Sequence, residues 1–325
     1  MSELRWHPLL QEWVITATHR QERTFLPPKD YDPLAPTAPG GVPTEIPAPD
    51  YEIVVFENRF PSLRESPPEP AVCGSVLAPV RPADGACEVI CYTPDYDAEF
   101  ATLPVTRIRE LVEVWAHRFH ELGNRPGVRY VYIFENKGKE IGVTLQHPHG
   151  QIYAYPFVPP TPARELASAR DYFQQTGGDL LGDLLKQELE DGRRIVTQNE
   201  HFAAVVPFYA RYPYELHITP TAPRSAITEF TPAERAALAA ILKEATLRLN
   251  LLWNRSMPYI MLMHQRPTDG ESTPWYRFHV EIYPPYRTPR KLKYLAGSEA
   301  GAGAFINDTL PETTAAELRA VQPDA

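Results

Sequence analysis

An α+β fold built mainly from antiparallel sheet is what the sequence predicts. Eight short runs rich in β-branched and aromatic residues read as strands, two long segments carry a helical apolar stripe, and few helical patterns separate one strand from the next. A doubly wound parallel sheet needs a crossover helix after nearly every strand, so antiparallel sheets with helices packed on them are favoured. The strand runs are 51–56, 87–92, 130–134, 151–157, 202–208, 215–219, 259–263 and 278–283, most of them bounded by Pro, Gly or Asn. The first helix opens after Pro104 and places Ile108, Leu111, Val112, Trp115 and Phe119 on one stripe. The second opens with Thr231 as cap, Pro232 at the first helical position and Glu234 three residues after the cap.

These parts recur in order. Pro104 and Pro232 stand 128 positions apart, as do Asn136 and His264, and His149 and His279 stand 130 apart. A near-constant offset at three landmarks predicts an internal duplication of about 130 residues. The expected division is 1–170 and 171–325, in a region of loop and helix over 160–195.

Of 325 residues, 43% are hydrophobic and 22% charged, which excludes disorder as the main state. The 32 basic and 41 acidic residues give a net charge of −9 with no basic stripe, so neither nucleic acid nor an anionic membrane is an expected partner. No run reaches the ~18 apolar residues of a membrane span, the first ten residues do not read as a signal peptide, and cytoplasm is the expectation. Three cysteines (Cys73, Cys87, Cys91) without a C-x-x-C pair suit a reducing compartment. Proline, at 36 residues, is about twice its average share. Its clusters at 27–49 and 61–82 predict irregular extended segments, because proline donates no backbone hydrogen bond.

Chemistry concentrates in 134–151, FENKGKEIGVTLQHPHGQ. His147, His149 and Gln151 alternate, so on a strand all three would share one face. Gly138 and Gly142, with Asn136 and Thr144, predict a polar loop able to turn backbone N–H groups toward a phosphate.

At this point the chain resembles the galactose-1-phosphate uridylyltransferases, a transferase branch of the histidine-triad superfamily. The resemblance rests on FENKG and HPHGQIYA within 134–154, and on WVIT with His19, Arg20 and Arg23. It extends to FENRFP at 56–61, VICYTPDY at 89–96, VVPFYARYPYE at 205–215, His264, and FHVEIYPP at 278–285. It implies tandem histidine-triad-like halves and ping-pong transfer of a uridylyl group through His149, from UDP-glucose to galactose 1-phosphate, giving UDP-galactose. Superfamily hydrolases carry a histidine where this chain has Gln151; an amide is neither acid nor base near neutral pH but can donate to phosphoryl oxygens.

The resemblance also implies roles for other residues. Arg20 and Arg23 would bind phosphate; Asn58 and Phe60 would line a uridine pocket; Asn136, Gly142 and Thr144 would surround the nucleotide phosphates. Lys293 and Glu299 would make hexose-phosphate and sugar-hydroxyl contacts. Glu165, His264, His279 and Glu281 match a zinc or iron site, with Glu281 where some members have histidine. The family's cysteine-containing zinc site is expected to be absent: its C-x-x-C falls on 32–35, its histidine on Tyr96, and only His147 remains. Phe305 and Ser298 stand where some relatives have glutamine and tyrosine beside the sugar. A homodimer is implied. The alternatives are a related nucleotidyltransferase such as an ADP-sugar phosphorylase, and a non-catalytic nucleotide-sugar-binding protein.

Overall fold

The computed structural model describes residues 2–23, 27–28 and 31–323, excluding the side chains of residues 22 and 23. In chain order the first half comprises β1 (Ser2–His7), β2 (Glu12–Ala17), β3 (Val54–Glu57), β4 (Val80–Pro82), β5 (Ala86–Cys91), α1 (Val105–Gly123), β6 (Tyr130–Lys137) and β7 (His149–Tyr155). Helices α2 (Pro160–Thr176) and α3 (Leu180–Asp191) follow. The second half has β8 (Ile195–Gln198), β9 (Phe202–Val205), β10 (Leu216–Pro220), α4 (Pro232–Leu251), β11 (Tyr259–His264), β12 (His279–Tyr283), β13 (Tyr286–Thr288), β14 (Lys291–Leu292) and α5 (Pro311–Ala320).

The architecture is α+β, and its centre is one nine-stranded sheet in the order β3-β5-β7-β6-β11-β12-β10-β9-β8. Every neighbouring pair in it is antiparallel. The two halves meet where β6 pairs with β11, and the strands run outward from that seam in matching order. The three repeat landmarks found in the sequence thus fall on equivalent strands and helices. The expected division at 170/171 lies inside α2.

Strand alternation gives the sheet two unlike faces. Ile90, Val131, Ile133, Ile152, Met261, Met263, Val280 and Ile282 point into one core together with α1 and α4. The capping box read from sequence is present: Thr231 Oγ1 accepts from Glu234 N–H at 3.2 Å, and Thr231 N–H donates to Glu234 Oε2 at 2.7 Å. The opposite face carries His149, Gln151, His264, His279 and Glu281. The three-stranded sheet β2-β1-β4 packs near one end of that face, where Leu4 meets Cys87 and Tyr153.

The proline-rich stretch after β2 forms little regular structure, as expected, yet it is not peripheral. It wraps the cleft-bearing face and buries Leu34 and Ile46 against Val89 and Cys91. What the sequence pattern did not yield were the short strands β1, β2, β4, β8, β13 and β14, and the separate helices α2, α3 and α5.

One acid lies in the helix-side core. Glu135 on β6 is 4% exposed and accepts from Tyr92 Oη at 3.2 Å and Tyr259 Oη at 3.1 Å. Gly150 makes room for this cluster, since a Cβ there would sit 2.3 Å from Tyr92 Oη. Burial pushes the Glu135 carboxyl up to about 7. The folded chain therefore holds a proton that the unfolded chain releases near its ordinary value of about 4.3, and this stabilisation is present at low pH and lost as pH rises through 7. Glu135→Gln should flatten a pH-dependent fall in stability of about 3 kcal/mol at most between pH 4.5 and 7.5, read from urea midpoints.

Candidate active site and metal centre

The first centre is a cleft above β3, β5, β7 and the end of β6. Asn58, Phe60, Asn136, Gly142, Thr144, His149 and Gln151 line it, joined by Tyr31, Leu34, Phe56, Arg59, Val89 and Leu145. The loop after β6 turns at Gly138 (φ +101°) and Gly142 (φ +85°), backbone settings that glycine adopts without a Cβ penalty. The aromatic and aliphatic wall, Phe56, Leu34, Val89 and Leu145, lies beside the polar loop. Such a pairing suits a ligand with a flat apolar end and an anionic end.

His149 opens β7. Its Nδ1 donates to the His147 carbonyl at 2.7 Å, which fixes the proton there and makes Nε2 the lone-pair nitrogen. Gln151 follows on the same face; its Oε1 accepts from Tyr153 Oη at 3.3 Å and faces Asn58 Nδ2 at 3.5 Å. With the amide oxygen so engaged, the amide N–H₂ is the group Gln151 can offer to a ligand.

His147 departs from expectation. It lies before the strand rather than on it, because Pro148 supplies no N–H to begin the ladder there. Its ring does not line the cleft. Nδ1 pairs with Asp32 Oδ2 at 2.7 Å, and Nε2 lies 2.7 Å from both the Thr93 carbonyl and Tyr51 Oη. Tyr96 meets the ring edge-on at 6.3 Å. Asp32 and Tyr51 thus hold the His147 ring by hydrogen bonds, and Tyr96 packs against its edge. Burial, with the Asp32 charge beside it, pushes the Cys91 thiol up to about 12, and burial raises Cys87 as well, so neither offers a thiolate.

Arg20 does not line the cleft either. Its Nη1 donates to the Phe60 carbonyl at 2.9 Å, while Phe60 N–H donates to Asn58 Oδ1 at 2.9 Å, so the arginine braces the Asn58–Phe60 turn. The Arg23 side chain lies outside the described residues. Lys293 and Glu299 pair with each other, Nζ to Oε1 at 3.4 Å, away from the cleft.

The second centre sits on the same sheet face in the other half. Glu165 from α2, His264 ending β11, and His279 and Glu281 alternating on β12 place one donor atom each within 4.8 Å of one another. His264 Nδ1 meets Glu165 Oε2 at 2.7 Å, and Tyr276 Oη donates to the same oxygen at 3.0 Å. His279 Nδ1 donates to the Arg277 carbonyl at 3.2 Å, leaving Nε2 directed inward, 3.6 Å from Glu281 Oε1. His264 Nε2 is buried with no hydrogen-bond partner among the described residues, a vacancy in bonding that a cation would fill. Desolvation opposes charging of His264, but the Glu281 and Glu165 carboxylates together outweigh it and draw its pKa up. Glu281 itself is held well below the carboxylate range despite burial, by His217 and His264. Two imidazoles and two carboxylates fit zinc or iron.

Comparison with known proteins now has a site to bear on. Residues 1–159 match the family model for the N-terminal domain of galactose-1-phosphate uridyl transferase, and residues 165–324 match its C-terminal domain. This chain belongs to that family. A galactose-1-phosphate uridylyltransferase of Thermotoga maritima is 40% identical over 98% of both chains. One of Haemophilus influenzae is 34% identical over 98% of this chain and 93% of its own length. A solved uridylyltransferase superposes with a TM-score of 0.87 at 36% identity, covering 98% of this chain and 97% of that one. An ADP-glucose phosphorylase of Arabidopsis thaliana shares the fold at TM-score 0.74 and 23% identity. Among the described residues, no helix is long and apolar enough to cross a membrane.

Asp32→Ala should leave buried His147 Nδ1 without its partner and cost about 1–3 kcal/mol, measured as a lower urea midpoint. Tyr51→Phe, which leaves the Thr93 carbonyl in place, should cost about 1 kcal/mol or less.

Proposed function

We propose that this chain is a UDP-glucose:hexose-1-phosphate uridylyltransferase that acts through a uridylyl-histidine on His149. The observation that carries the reading is the His149 hydrogen bond to the His147 carbonyl, which presents Nε2 as nucleophile on a cleft wall between a phosphate-suited loop and an apolar slot. Nε2 attacks the α-phosphorus of UDP-glucose, the bond to the bridging oxygen breaks, and glucose 1-phosphate leaves. The leaving group has a second phosphate pKa near 6, so it needs no proton and no general acid is required. Galactose 1-phosphate then attacks the same phosphorus through a phosphate oxygen, displaces Nε2 and leaves as UDP-galactose. The Gln151 amide donates to the phosphoryl oxygens as charge builds, and it gives water no base. Asn58 and Phe60 flank the uridine; Asn136, Gly142 and Thr144 surround the phosphates; Arg20 acts by bracing the Asn58–Phe60 turn.

Glu165, His264, His279 and Glu281 would hold one zinc or iron ion. None of them lines the cleft, so the ion would tie α2 to β11 and β12 and serve structure rather than the transfer. Lys293 and Glu299 stand apart from the cleft of their own chain, which supports a homodimer in which each copy supplies them to the other's site. Nucleotide-sugar and sugar-phosphate substrates support a cytoplasmic location.

Incubation with labelled UDP-glucose should leave UMP on the peptide containing His149, found by mass spectrometry; labelling only from ADP-glucose would refute the uridylyl assignment. His149→Gly should abolish transfer with the melting temperature retained. Gln151→Ala should lower turnover about 10²–10³-fold if its donor acts in the transition state. Mixing inactive His149→Gly with inactive Lys293→Ala chains should restore activity, and a mixture that stays inactive contradicts the shared site.

A further inference from the structure

We infer that His217 is a positioning residue of the metal centre, holding the Glu281 carboxylate in place for the ion. The inference rests on the metal reading above and goes beyond its four ligands. His217 on β10 stands directly across from Glu281 on β12, and both side chains are buried on the cleft-bearing face. His217 Nε2 lies 2.8 Å from Glu215 Oε1 and 3.3 Å from Glu281 Oε1. A lone pair between two carboxylate oxygens at those distances would be repelled by both, so Nε2 carries a proton shared between them. That makes His217 a donor and not a ligand. Glu215 is itself immobile, since its Oε2 accepts the backbone N–H groups of Arg211 and Tyr212 at 2.6 and 2.9 Å.

Glu281 has more need of such support than a histidine would. A carboxylate has two equivalent oxygens and turns freely about its terminal bond, and it adds a negative charge to a buried site. The structure restrains both oxygens. Tyr283 Oη and Arg211 engage Oε2, and His217 engages Oε1. The first half shows that sheet packing alone does not require a histidine here. There Val89 stands across from Gln151 in the matching strand pair, and an isopropyl group suffices.

Ligand-supporting hydrogen bonds of this kind typically contribute about 10–100-fold in metal affinity. The test is a zinc titration of the metal-stripped full chain against a chromophoric chelator. His217→Val should weaken zinc binding about 10–100-fold, while His217→Gln, whose amide N–H can reach the position of Nε2, should stay within a few-fold of the unaltered chain. Unchanged affinity in a folded His217→Val chain overturns the inference. So does a Gln variant as weak as the Val variant, because that would mark His217 as a ligand. If His217→Val does not fold, His217→Asn, polar but too short to reach Glu281, should show the same loss, and unchanged affinity there overturns the inference equally. His264→Ala separates the two readings: if it binds zinc as well as the unaltered chain, the metal site itself falls, and if it alone loses zinc, only the role of His217 falls.

Discussion

One hydrogen bond sets the terms for both centres: a ring Nδ1–H donating to the carbonyl two residues back. It joins His149 to His147 in one half and His279 to Arg277 in the other, at 2.7 and 3.2 Å. Each bond selects a tautomer and turns Nε2 away from the strand. Pleating then fixes what stands beside that nitrogen, because the next side chain on the same face is two positions on: Gln151 in one half, Glu281 in the other.

The duplication thus delivers one scaffold with two chemistries. Asn136 and His264, Gln151 and Glu281, and Val89 and His217 occupy corresponding places 128 or 130 positions apart. The first set is uncharged and lines a cleft. The second is charged, buried and able to hold a cation. Beside the imidazole stands an amide able to donate a hydrogen bond in one half and a carboxylate able to hold a cation in the other. The seam of β6 and β11 joins the two centres into a single sheet and a single helix-side core.

Much of this was legible in the sequence. All eight strand-like runs contain strands, and both long helices stand where the apolar stripe put them, because two-faced burial imposes a period on residues such as Ile108, Leu111 and Trp115. The His149/Gln151 alternation and the offset pointing to His264 and His279 were legible for the same reason. His147 was misread because Pro148 displaces the start of the ladder by two residues. The bond from Arg20 to the Phe60 carbonyl was not legible, because an arginine bracing a carbonyl and one binding a phosphate look alike in a sequence. Asp32, Tyr51 and His217 act through contacts across 115, 96 and 64 positions of chain, and no local pattern records such distances. The separation of Lys293 and Glu299 from the cleft was equally invisible, since proximity in a fold is not written in spacing.

The proline-rich wrap does more than shield apolar surface. It lends Asp32 and Tyr51 to the ring of His147, whose carbonyl accepts from His149 Nδ1, so that bond is seated in part by a segment that contributes almost no regular secondary structure. A chain cut within the wrap would lose the partners of the His147 ring together with the cover over Val89 and Cys91.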